Sequence, residues 1–124
     1  MRQEAFDALC LSLPAATYVN QWGGSHVYKV GGPTGGKVFA IAPNWAAKRG
    51  GQAYIFKVSE MAFEMLIEHG LAHPAPYLGR SSWVQLNAVD SLDDDDLAAY
   101  IRQAHALISS RLTRAARRAL NLEQ

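Results

Sequence analysis

The chain has 124 residues, 49% of them hydrophobic and 19% charged, which is the composition of one compact globular domain and excludes a disordered or collagen-like protein. No apolar run approaches the ~20 residues that a membrane span needs, and the start Met1-Arg2-Gln3-Glu4 lacks a signal-peptide core, so a cytoplasmic protein is expected. The net charge of +1 excludes neither nucleic acid nor protein as partner, and the single Cys10 rules out an internal disulfide.

From Arg2 to Leu13 the chain puts Ala5, Phe6, Leu9, Cys10 and Leu13 at helical spacing, and Pro14 ends the pattern. Cys10 falls in that apolar stripe and reads as a small buried side chain. From Thr17 to Lys57 the pattern changes to short β-rich runs, Thr17–Trp22, Ser25–Val30, Lys37–Ala42 and Ala53–Lys57, separated by glycine pairs that allow tight turns. Ser59 is a candidate N-cap for a helix through about His69, with Gly70 placed to end it in a left-handed conformation. Pro74 and Pro76 bracket an irregular approach to a strand over Trp83–Leu86. Ser91-Leu92-Asp93-Asp94 resembles a capping box. It opens a long helix with the apolar stripe Leu97, Tyr100, Ile101, Ala104, Leu107, Ile108 and Leu112. A last short helix spans roughly Thr113 to Leu122. The order predicts an α+β fold, a single domain over residues 1–124, with helices on one face of a mainly antiparallel sheet.

Several chemistries are tested by spacing. Gly31-Gly32-Pro33-Thr34-Gly35-Gly36-Lys37 satisfies the first seven positions of a phosphate-binding loop, but the eighth is Val38, without a hydroxyl for magnesium, and a strand follows where a helix is required. A hairpin turn is the better reading. His69 and His73 are four apart, yet Gly70 and Pro74 interrupt any helix through both and no further ligand is near, so no metal or cofactor is expected. No Gly-x-Ser-x-Gly elbow is present, and catalysis is not expected.

Charge alternates along the chain. Through Val58 six cations face Glu4 and Asp7; from Ser59 to Asp96 Arg80 alone faces Glu60, Glu64, Glu68, Asp90 and Asp93 to Asp96. Arg102, Arg111, Arg114, Arg117 and Arg118 then stand against Glu123. Such a pattern is either solvated surface charge or the footprint of a polyanion, and the pI near 7.9 does not require the latter. Lys29, Lys37, Lys57 and Arg80 lie in or beside strands that also carry Tyr28, Tyr54, Phe56 and Trp83. A sheet face that mixes cations with rings can hold phosphates by charge and bases by stacking. The same rings can equally complete the core, with strand lysines guarding an edge.

Three stretches are distinctive in combination: Val27-Tyr28-Lys29-Val30 with Lys37-Val38-Phe39-Ala40, Phe56-Lys57-Val58 before a helix, and Pro76-Tyr77-Leu78-Gly79-Arg80 with Trp83-Val84. On these residues the chain resembles the MmcQ/YjbR family of small bacterial domains. Departures are a longer Pro/Gly turn before Lys37, Ala104-His105 where a Ser-Tyr pair is common, and Pro14-Ala15 where Pro-Gly is frequent. The resemblance implies a CyaY-like, double-wing fold whose open sheet face forms a shallow saddle, and DNA binding through that saddle. Together with the mixed sheet face, this makes Lys29, Lys37, Lys57 and Arg80 candidate phosphate contacts and Tyr28 and Trp83 candidate stacking contacts, and a monomer is expected. The competing class is a protein or small-molecule interaction module on the same surface, and an enzyme would require His26, His105 and Ser81 to meet in one cleft.

Overall fold

A computed structural model describes residues 1–21, 24–32, 35–43, 53–76 and 81–122. The elements run α1 (Gln3–Leu11), β1 (Ala16–Gln21), β2 (Ser25–Val30), β3 (Lys37–Ala42), β4 (Ile55–Lys57), α2 (Glu60–Glu68), β5 (Ala72–Pro74), β6 (Trp83–Leu86), α3 (Asp94–Ser109) and α4 (Arg114–Ala119). The strands form one antiparallel sheet in the order β1-β2-β3-β4-β6-β5. The expected α+β architecture is present.

Local chemistry sets most boundaries. Ser59 caps α2 by accepting a hydrogen bond from the Ala62 amide at 3.1 Å, and Gly70 follows it at φ +72°. Thr113 caps α4 in the same way through the Ala116 amide at 3.0 Å. At α3 the cap is Asp93, whose Oδ1 accepts from the Asp96 amide at 2.8 Å; Ser91, the expected start, instead accepts from the Ala88 amide. The segment read as irregular before Trp83 contains β5, a three-residue strand at the sheet edge.

The β2–β3 connection is a hairpin, as its glycines require. A Cβ on Gly36 would lie 2.6 Å from the Gly32 carbonyl oxygen and 2.7 Å from that of Val30, closer than any side chain tolerates. Lys37 then pairs with Val30 in the ladder, so a strand begins where a phosphate-binding loop would need a helix.

The pairing aligns two rows across the sheet. Tyr18, Tyr28, Ala40, Phe56, Val84 and Pro74 form one; Val19, Val27, Ile41, Ile55, Gln85 and His73 form the other. Because strand side chains alternate, these rows face opposite sides. The first row meets the helices: Phe6 of α1 stacks on Tyr54 at 3.9 Å and sets its edge against Tyr28, while Tyr100 of α3 lies against Phe56. Buried Leu97, Ile101, Ala104 and Ile108 complete the α3 contact with the sheet, and buried Cys10 lies in the apolar face of α1 as expected. The second row is buried along its middle too, at Val27, Ile41, Ile55 and Gln85. The expectation that this face is an open saddle is therefore corrected at the central strands, where apolar side chains occupy both faces and both are withdrawn from water.

Among the described residues no helix is long and apolar enough to cross a membrane.

Candidate nucleic-acid interface

The proposed site residues do not share one surface. Tyr28 is fully buried on the helix side, with its ring against Phe6 and Tyr18. Trp83 retains 7% exposure, paired with Lys57 across the β4–β6 ladder. Neither ring offers a face on which a base could stack, so the structural alternative weighed for them, completion of the core, describes both. Lys57 is only 4% exposed and its Nζ donates to the backbone carbonyl of Ser81. Burial, reinforced by the Arg111 charge and opposed by Glu60, lowers its pKa. Lys29 is half-buried and pairs with Val38, projecting on the same face as Lys57. Lys37 is exposed, and its pairing with Val30 turns it toward the other face. Arg80 lies outside the described residues, as do Trp22, Lys48 and Arg49.

The histidines have separate duties. His26 Nδ1 lies 3.3 Å from Asp7 Oδ1, and Gln3 Nε2 lies 2.9 Å from that same Nδ1 and 3.1 Å from Nε2. His105 donates from Nε2 to the Pro14 carbonyl at 2.7 Å and meets the Phe39 ring edge-on. His73 pairs with Asn87, and His69 folds back onto the Met65 carbonyl. Ser81 serves Lys57. The cleft that would join His26, His105 and Ser81 is thus replaced by three separate sets of partners. Among the described residues no group of three or more His, Cys, Asp or Glu side chains is arranged to hold a metal ion.

What the fold does bring together is a mainly acidic cluster at one end and a basic one at the other. Near the start of α3, the amino group of Met1 pairs with Asp94 Oδ1 at 3.1 Å, and the Tyr54 hydroxyl donates to the Met1 carbonyl at 2.7 Å. Burial first, then the carboxylates of Asp7, Glu4 and Asp94, push the Tyr54 hydroxyl up to about 12. The sixteen residues of α3 span about 24 Å, and its far end is basic. From Leu97 to Leu122 the chain holds Arg102, Arg111, Arg114, Arg117 and Arg118 and no acidic residue. Arg102, Arg111, Arg114 and Arg118 are exposed, while Arg117 donates from Nη1 to the carbonyls of Ser110 and Leu112 and so closes the turn between α3 and α4. The β2–β3 hairpin abuts this segment, since a side chain at Gly31 would meet Leu120 Cδ1 at 3.7 Å. Lys37, which opens β3 beside that hairpin, therefore joins the arginine-rich end. The arginines carry a plain sequence signal, the acid-free stretch itself.

The YjbR family model matches residues 11–107, more than half of the chain. Those residues end before Arg111, so the arginines of the α3–α4 turn and α4 lie beyond the matched part. Among solved structures, the chain is similar to Deinococcus radiodurans protein DR2400, described as carrying a DUF419 domain. The two share 20% identity over 97% of this chain and 88% of that one, with a TM-score of 0.83, a likeness of fold. No curated protein matches the chain. The paired strands with their Val27-Tyr28-Lys29-Val30 and Phe56-Lys57-Val58 stretches, and the family match across them, give one conclusion: the chain belongs to the YjbR family.

Proposed function

We propose that this YjbR-family domain binds DNA by its phosphates, using the arginine-rich end of the molecule in place of an open sheet face. The observation that carries the reading is the acid-free stretch from Leu97 to Leu122, whose exposed Arg111, Arg114 and Arg118 share one end with Lys37. Clustered cations facing water attract a polyanion and release its condensed counterions on contact. With Tyr28 and Trp83 packed in the interior, base stacking has no part in the reading. The acidic end around Glu4, Asp7 and Asp93 to Asp96 repels phosphate and so orients the molecule on a duplex. Phosphate contacts position a protein without reading sequence, and little sequence preference is expected. The test is fluorescence anisotropy of a labelled duplex against wild type and the double variant Arg114→Glu, Arg118→Glu. Loss of binding in the variant at low salt supports the reading, and equal affinity of the two proteins overturns it.

A further inference from the structure

A cavity of about 550 Å³ opens where the loop after α1 meets the end of α3 and the chain beyond α4. Its volume lies within the ~300–1,000 Å³ typical of small-molecule sites. Five polar residues line it, among them Arg117, Ser109 and His105 beside Ser110 and Asn121, together with the apolar surfaces of Pro14, Ala106 and Leu122.

The first is Arg117. Its Nη1 is committed to the carbonyls of Ser110 and Leu112, at 3.0 and 3.1 Å, which holds the guanidinium plane in place. The opposite edge, Nε with Nη2, has no partner among the described residues, and this edge is the planar fork that receives a carboxylate through two parallel hydrogen bonds. The second is Ser109, which forms part of the wall without presenting its hydroxyl, since its Oγ is sealed from water and therefore from the cavity. The third is His105, held by the Pro14 carbonyl with Nε2 as donor. Among the described residues no carboxylate lines the cavity.

We propose that this cavity binds a small monocarboxylate with an apolar body: the Nε–Nη2 edge of Arg117 receives the carboxylate, and Pro14, Ala106 and Leu122 cover the hydrocarbon. One fixed guanidinium and an apolar wall suit a monoanion better than a phosphate dianion, which calls for several converging cations. The site stands independently of DNA binding, because Arg114 and Arg118 do not line it.

The probes are hexanoate and benzoate, with hexanamide, benzamide and inorganic phosphate as controls, titrated into the whole protein while the Arg117 Nε–Hε resonance is followed by NMR. Saturable shifts with the carboxylates and none with the amides are expected. Arg117→Lys keeps the charge but loses the fork, and should weaken binding about tenfold. Ala106→Phe, at an exposed helical position that lines the cavity, should abolish it. Absence of a saturable shift, equal response to the amides or to phosphate, or unchanged binding in both Ala106→Phe and Arg117→Lys would overturn the proposal. Retained DNA affinity in Ala106→Phe would show that the two surfaces are separate.

Discussion

Lys57 and Ser81 are joined by a hydrogen bond from the buried ammonium to a backbone carbonyl one residue before Ser82, which takes the left-handed φ of +60°. Lys57 is thus a clasp between the end of β4 and the approach to β6. Burial and Arg111 make its folded-state pKa lower than the 10.5 of an unhindered lysine. Between those two values the unfolded chain binds more protons than the folded one, so this residue's contribution to stability rises with pH and is complete above 10.5. Urea unfolding of wild type and Lys57→Met at pH 7 and pH 10.5 should show the difference shifting in favour of wild type at the higher pH. A difference independent of pH would contradict the assignment, and DNA affinity at neutral pH should be the same for both proteins.

Tyr28 gives a second test of the interior. Its hydroxyl is buried with no hydrogen-bond partner among the described residues. Leaving such a group unsatisfied costs about 1–3 kcal/mol, so Tyr28→Phe should stabilise the protein by about 1 kcal/mol and leave DNA binding unchanged. Destabilisation in urea titrations would mean that the hydroxyl is paired.

These two residues also show where a sequence stops being informative. The rings and cations of neighbouring strands read as one shared surface that joins Tyr28 to Lys57, but the ladder register puts the two on opposite faces, and burial of both faces is a tertiary fact. Ser59 and Gly70 were legible because a cap depends on residues within three or four positions. The buried state of His105 was not, since its partner Pro14 lies 91 positions away. β5 escaped because three residues ending in Pro74 carry no alternation, and its pairing with β6 makes it a strand. The cationic end was visible as composition, but only the contact of the β2–β3 hairpin with Leu120 brings Lys37 to it.

Alkaline pH should unfold the protein through the groups buried as neutral acids. Tyr54 titrates near 12 when folded and 10 when unfolded, and burial also pushes the Cys10 thiol and Tyr100 up. For each group the folded state keeps its proton longer, so the stability it contributes is intact below the unfolded pKa and is lost as pH rises through the folded one. For Tyr54 a two-unit difference corresponds to about 3 kcal/mol. Tyr54→Phe should cost about 1 kcal/mol at pH 7 through the lost bond to Met1, and should flatten the decline between pH 10 and 12. A decline as steep as wild type would contradict this.

The hairpin glycines should behave unequally. Gly36→Ala drives a Cβ into two backbone oxygens and should cost about 1–3 kcal/mol. Gly32→Ala and Gly35→Ala meet nothing within 4 Å and should change stability by less than about 1 kcal/mol. Thermal unfolding of the three variants makes the comparison, and equal losses would mean that the crowding at Gly36 is relieved.

The central claim is that exposed arginines and Lys37 hold DNA phosphates while the buried rings and Lys57 do not. Titration of a labelled duplex across several salt concentrations tests it most directly, with wild type beside Lys37→Ala and Arg114→Ala, Arg118→Ala. The account predicts binding that weakens with salt, and a log–log slope that falls by about 0.9 for each phosphate contact removed. Failure to bind even at low salt, or an unchanged slope in all three variants, would contradict it.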